Sequence, residues 1–238
     1  MAFLTVAGAW AQAIPVITSV VNSYSFVAQV SPRGLASVLG SNLTTATQNG
    51  PGNTKVFVNG VSALIKQTNK GQVGNDAVVF QVPPETPLGP AQFVVSNNGV
   101  SSLPFTGQVT AFSPAATRAI HEDGTILTPI AASPGETIGI FATGLGATDP
   151  PPTPTLTMAG FPVAIRSQLT NFPGIFLLKF AVPAGLASGQ FPLTISSNGV
   201  NGNVNILPVA SNGLSLSQTG ATFRAVAGSA NVGQRSIA

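Results

Sequence analysis

At 238 residues, with 6% charged residues and a formal net charge of +3, the chain has room for two sandwich-sized domains and few ionisable groups for catalysis. Its 14 phenylalanines and abundant Val, Ile and Thr argue against disorder, and its nine Lys and Arg residues stand singly rather than in the basic clusters that grip nucleic acid. Cysteine is absent, which excludes disulfide frameworks, thiolate metal sites and thiol nucleophiles, and no stretch reaches the roughly 20 apolar residues of a membrane span.

Ala2 to Trp10 forms a short apolar run, and Ala11-Gln12-Ala13 follows as a small-x-small cleavage pattern before Ile14. Residues 1–13 therefore read as the remnant of a signal peptide and place the protein outside the cell, secreted or at the cell surface. The basic leading segment is missing, so either the start codon lies elsewhere or the chain is a fragment.

From Ile14 onwards the period is that of strands. Lys55-Val56-Phe57-Val58-Asn59-Gly60-Val61 and Gln92-Phe93-Val94-Val95-Ser96-Asn97-Asn98-Gly99-Val100 are β-branched and aromatic runs ending at Asn-Gly. That dipeptide suits a type I′ hairpin, whose two central residues both take positive φ. Val82-Pro83 should end its strand, because proline brings no ladder donor, and turn the chain towards Gly89. Residues 14–110 are thus expected to form a first sandwich.

Ala111 to Ala132 reads as connector and first strand of a second unit, followed by strands at Thr137-Ile138-Gly139-Ile140-Phe141 and Phe191-Pro192-Leu193-Thr194-Ile195-Ser196. Pro150-Pro151-Pro152-Thr153-Pro154 is a stiff polyproline-like loop, and Val182-Pro183 is a second strand stop. Residues 111–209 complete this second sandwich. Beyond it, Leu214-Ser215-Leu216-Ser217 and Ala221 to Val226 alternate again. Residues 210–238 are too few to enclose a core, so they read as an incomplete third β domain or a strand-donating tail. No segment carries an apolar helical period of ten residues, and the expected class is all-β.

The two halves are copies. Val79 to Pro83 is echoed by Lys179 to Pro183, Gly89 by Gly189, and Ser96-Asn97-Asn98-Gly99-Val100 by Ser196-Ser197-Asn198-Gly199-Val200, each at an offset of 100. Ser31-Pro32 matches Ser133-Pro134 and Gly40 to Leu43 matches Ala142 to Leu145 at an offset of 102, so an indel of two residues lies between Leu43 and Asn59.

Val20-Val21-Asn22-Ser23-Tyr24-Ser25-Phe26, Ser31-Pro32 through Leu39-Gly40-Ser41-Asn42-Leu43, Val58-Asn59-Gly60-Val61-Ser62-Ala63 and Phe80-Gln81-Val82-Pro83 together resemble a known repeat. It is the C-terminal repeat of large secreted proteins of Solibacter-like acidobacteria, similar to the IPT/TIG class of immunoglobulin-like domains. Ala119 to Gly124, Ser133 to Glu136 and Phe141 to Gly146 resemble its partner copy, and Gly213 to Gly228 resembles the opening of a BACON-like domain. The resemblance spans about residues 14–228 and departs at Val73-Gly74-Asn75-Asp76, where the family usually starts a strand with a Gln-Ile-Asn-like segment. It implies immunoglobulin-like sandwiches and export, and it carries over no catalytic residue.

The chemistry available is sparse. His121 is the sole histidine, so a Ser-His-Asp triad would need it, with Asp123 nearby, yet there is no G-x-S-x-G elbow. His121-Glu122-Asp123-Gly124 reads better as a polar turn. A glycosidase pair would have to be drawn from Asp76, Glu85, Glu122, Asp123, Glu136 and Asp149, of which only Glu122 and Asp123 are adjacent, and these face opposite ways on a strand. One histidine and six carboxylates are too few for a zinc site, and calcium at Glu122, Asp123 or Asp149 is the remaining metal option.

No catalytic, cofactor or metal residue is therefore assigned. The expected role is a non-enzymatic spacer or adhesive unit of a larger surface protein. Its partners would be neighbouring domains or further copies joined by β-strand addition, and few lysines are present to guard the strand edges against this. The alternative is a carbohydrate-binding accessory module, for which the aromatic candidates are Tyr24 and the phenylalanines, because Trp10 falls in the leader.

Overall fold

A computed structural model describes residues 13–46, 52–72, 75–127 and 130–210, with 167–171 described by backbone alone. The leader reading over residues 1–12, the Val73-Gly74 part of the divergent loop and the tail from Ser211 lie outside the described residues. Every regular element among the described residues is a strand.

In the first half, β1 (Val16–Asn22), β3 (Leu35–Ser41), β7 (Asp76–Gln81) and β6 (Leu64–Asn69) form an antiparallel sheet in the order β1-β3-β7-β6. The second sheet runs β2 (Gln29–Val30), β10 (Phe105–Val109), β8 (Gly89–Asn97), β4 (Thr54–Val58) and β5 (Val61–Ser62), with β9 (Val100–Ser101) also paired to β8. Alternation decides which side chains face inwards. Val78 and Phe80 of β7 meet Val56 and Val58 of β4 and Ala91, Phe93 and Val95 of β8 in one buried cluster. The Phe80 and Phe93 rings bridge the sheets edge to face, with centroids 6.3 Å apart.

The second half repeats the plan. One sheet is β11 (Ala115–Ile120), β12 (Thr137–Thr143), β16 (Ile175–Ala181) and β15 (Ile165–Phe172), in the order β11-β12-β16-β15. The other is β14 (Phe161–Val163), β13 (Thr155–Met158), β17 (Gly189–Ser197) and β18 (Val200–Val209). Ile138, Ile140, Leu156, Met158, Leu178, Phe180, Leu193 and Ile195 fill its separate core. The protein is thus an all-β pair of immunoglobulin-like sandwiches.

Local chemistry accounts for the punctuation. β7 and β16 stop at Gln81 and Ala181, just before Val82-Pro83 and Val182-Pro183, as the missing proline donor requires. Asn59-Gly60, Asn98-Gly99 and Asn198-Gly199 all take paired positive φ, the type I′ requirement. The copies diverge where the sequence does. Pro104 interrupts the edge of the first sandwich into β9 and β10, whereas Val204 at the matching position lets β18 run unbroken for ten residues. The parallel pairing of β2 with β10 shrinks in the second half to a single bridge between Ala132 and Val209.

Candidate site at the module junction

The connector between the two sandwiches is short and bonded on both sides. Asn22, buried at the end of β1, donates from Nδ2 to the Ser113 carbonyl at 2.8 Å. Its Oδ1 accepts the Tyr24 and Ser25 N–H groups. Ser113 in turn donates from Oγ to the Gln29 carbonyl at 2.9 Å, and its N–H reaches the Gly144 carbonyl at 3.0 Å. A Cβ on Gly144, which has φ +73°, would lie 1.8 Å from the Ser113 oxygen, so this approach depends on glycine.

Further along the junction the Ser31–Gly34 turn of the first sandwich meets two loops of the second. Arg33 donates from Nε to the Ala147 carbonyl at 2.8 Å and from Nη1 to Asp149 Oδ2 at 3.1 Å. The Leu35 N–H donates to Thr143 Oγ1 at 2.8 Å, and that hydroxyl donates to the Gly174 carbonyl at 2.6 Å. Gly174 belongs to the β15–β16 hairpin, where Phe172 pairs with Ile175 across Pro173-Gly174. Proline followed by a glycine at φ +81° is the composition of a type II turn.

Between these elements lies a cleft of about 320 Å³. Arg33, Gln81 and Pro84 line it from the first sandwich, and Asp149, Phe172 and Phe176 from the second. Gln81 donates from Nε2 to the Arg33 carbonyl at 3.0 Å and fixes the turn that carries the guanidinium. Phe172 is 60% exposed.

Among the residues singled out in the sequence, the structure pairs His121 with Glu136. His121 Nδ1 pairs with Glu136 Oε1 at 2.5 Å, and Glu136 also accepts the Ser133 N–H at 2.8 Å. The partner of the histidine is thus Glu136 rather than Asp123. Asp123 turns back to accept the Thr125 N–H and hydroxyl at 2.9 and 2.7 Å, and these bonds hold its carboxyl below the ordinary range. His121 Nε2 is buried with no hydrogen-bond partner among the described residues, so no serine is placed on it as a nucleophile.

Glu122 lies in the same surface turn, Glu85 is exposed in the loop after Pro83, and Asp149 sits at the junction. Asp76 is 1% exposed, accepting the Leu43 and Gly71 N–H groups and the Lys70 ammonium. Its place in the second copy is taken by the buried Phe176. No group of three or more His, Asp or Glu residues comes together among the described residues.

The aromatic candidates divide as well. Phe80, Phe93, Phe176 and Phe180 are buried, while Phe26, Phe161 and Phe172 are exposed. Tyr24 is half-buried, and desolvation pushes its phenol up to about 12. The sequence reading missed the clustering of Arg33, Asp149 and Phe172, and no local signal marks it, because Arg33 and Asp149 are 116 positions apart.

No family model matches the chain, and no curated protein does. Among solved structures, it is similar to the Bacteroides ovatus mixed-linkage glucan utilization locus protein SGBP-B in complex with a mixed-linkage heptasaccharide. That alignment has 15% identity and a TM-score of 0.43, and covers 85% of this chain and 46% of that one. The Escherichia coli adhesin FdeC aligns at 11% identity and TM-score 0.33 over 82% of this chain and 63% of its own. The I9–I11 tandem of titin aligns at 13% and 0.27 over 83% and 66%. The chain spans about half the length of the first and under two thirds of the second.

Proposed function

We propose that the protein is a non-enzymatic extracellular segment in which two sandwiches, residues 14–110 and 111–209, act as a stiff spacer or adhesive unit of a larger surface protein. The observation that supports this reading is the bonded junction. A flexible tether would leave its backbone to water and its neighbours independent. Here Asn22, Arg33 and Leu35 of one sandwich each hold the connector or the other sandwich through hydrogen bonds of 2.8 Å. Stacked units coupled in this way transmit load and display their ends at a fixed distance.

The low charge also suits assembly. The sheet formed by β14, β13, β17 and β18 contains no ionisable side chain, so like-charge repulsion would not oppose a neighbouring uncharged surface.

Small-angle scattering of the whole chain tests the spacer reading. The expected profile is that of one rigid elongated particle, loosened by the combined Arg33→Ala and Thr143→Val variant. A wild-type profile that requires freely jointed sandwiches would overturn it.

A further inference from the structure

The cleft at the junction has a composition that goes beyond a mechanical role. We propose that it binds a neutral saccharide, with Phe172 as the stacking platform and Arg33, Asp149 and Gln81 as the hydroxyl-binding wall. The inference does not rest on the spacer reading, since it concerns what the cleft holds rather than how stiffly the sandwiches are joined.

Phe172 is a large apolar side chain left 60% exposed beside the turn of the β15–β16 hairpin. The Pro173-Gly174 turn restricts the backbone behind it, and the Thr143 hydroxyl holds the Gly174 carbonyl at 2.6 Å. A Cβ on Gly174 would stand 2.9 Å from the Arg33 carbonyl oxygen, so the hairpin is seated closely against the first sandwich. A ring carried on a restricted backbone loses less freedom on meeting a ligand than one on a free loop.

The opposite wall is polar without net charge. Arg33 is 32% and Asp149 67% exposed at the side chain, and each neutralises the other. An anionic ligand recruited by Arg33 would face the Asp149 carboxylate, and a cation recruited by Asp149 would face the guanidinium. Arg33 Nη2, Asp149 Oδ1 and Gln81 Oε1 make no hydrogen bond within the described residues. The wall therefore offers a donor and two acceptors at once. Sugar hydroxyls both donate and accept, while the C–H face of a pyranose ring is apolar and suits an aromatic plane. The volume of about 320 Å³ lies at the small end of ligand pockets, the scale of one or two sugar rings.

The test is affinity electrophoresis of the full chain through native gels containing neutral polysaccharides: α- and β-linked glucans, mannan and xylan. Retardation by at least one of them is expected, with Phe172→Ala weakening the apparent affinity by at least about tenfold. Phe161→Ala removes another exposed phenylalanine of the same sandwich, outside the cleft, and should leave retardation unchanged. Both side chains are exposed, so matching thermal melts are expected for the two variants. Unretarded migration through every neutral polysaccharide overturns the proposal, as does retardation that survives Phe172→Ala or is lost equally with Phe161→Ala. Binding confined to an acidic polysaccharide and abolished by salt would overturn it too.

Discussion

The backbone N–H of Leu35, at the start of β3, donates to the hydroxyl of Thr143, at the end of β12, across the junction at 2.8 Å. Because that hydroxyl gives its own proton to the Gly174 carbonyl, one side chain joins the first sandwich to β12 and to the β15–β16 turn of the second. Thr143→Val keeps the shape and removes both bonds, leaving a buried N–H and a buried C=O without partners. The expected loss is about 2–4 kcal/mol. Differential scanning calorimetry should show the two sandwiches unfolding in separate steps where the wild type unfolds in one, and Thr143→Ser should restore the coupling. A Thr143→Val protein with the wild-type profile would remove this hydroxyl from the junction.

The parts of the fold visible in the sequence are those set by local chemistry. The β-branched and aromatic runs at Lys55–Val58 and Gln92–Val95, proline after Val82 and Val182, and Asn-Gly at positions 59, 98 and 198 each act within a few residues. The candidate site was not visible, because it depends on how the copies dock. Arg33 looks like one residue of a polar turn, and Phe172 looks like the last core residue of a strand. Only the packing of Gly34 and Gly174 against the opposite sandwich brings their surroundings together. The His121–Glu136 pair was hidden for a related reason: β11 carries a register shift between Thr117 and Ala119, and alternation counted along the chain does not register it.

Ala159 is a local conflict that the duplication makes explicit. It occupies the position of Asn59 in the equivalent hairpin and takes φ +52°, where an L residue with a Cβ is disfavoured. Ala159→Asn should stabilise the second sandwich by about 0.5–1 kcal/mol, read as a higher urea midpoint with unchanged slope. The reverse change, Asn59→Ala, should destabilise the first by more than that, because Asn59 Oδ1 also accepts the Gln92 N–H at 2.8 Å.

Asn203 closes the second sandwich by imitating a strand residue. Its Oδ1 accepts the Ala116 N–H and its Nδ2 donates to the Ala116 carbonyl, both at 2.8 Å, so the amide does for β11 what a neighbouring backbone would do. Asn203→Ala should cost about 1–3 kcal/mol. Asn203→Asp should cost more at neutral pH, since a carboxylate would face the Ala116 carbonyl. Chemical denaturation followed by circular dichroism distinguishes the two, and equal stability of both variants would argue against the paired geometry.

Asp76 is a buried carboxylate that three donors surround. It gathers the Leu43 N–H at 2.9 Å, the Gly71 N–H at 3.2 Å and the Lys70 ammonium at 2.9 Å. Asp76→Asn retains the size but turns a donor towards one of these donors, and should destabilise the first sandwich by about 2–4 kcal/mol. Lys70→Ala should cost far less, because that side chain is 38% exposed and water replaces its ammonium at the carboxylate. Comparable losses for the two variants would mean that the ion pair, not the backbone N–H groups, is the stabilising element.

Tyr24 gives the protein an alkaline limit that one spectroscopic band can follow, because it is the sole tyrosine. Burial disfavours the phenolate and pushes the phenol up to about 12 from its ordinary 10. The folded state therefore holds the proton more tightly than the unfolded chain does. The stability linked to this group is fully present below about pH 10 and is lost as pH climbs through about 12. In native buffer the tyrosinate absorbance should reach half its amplitude near pH 12, and near pH 10 in concentrated denaturant. Tyr24→Phe should flatten the fall of the urea midpoint across this window. A native titration centred on 10 would place the hydroxyl in water and overturn this reading.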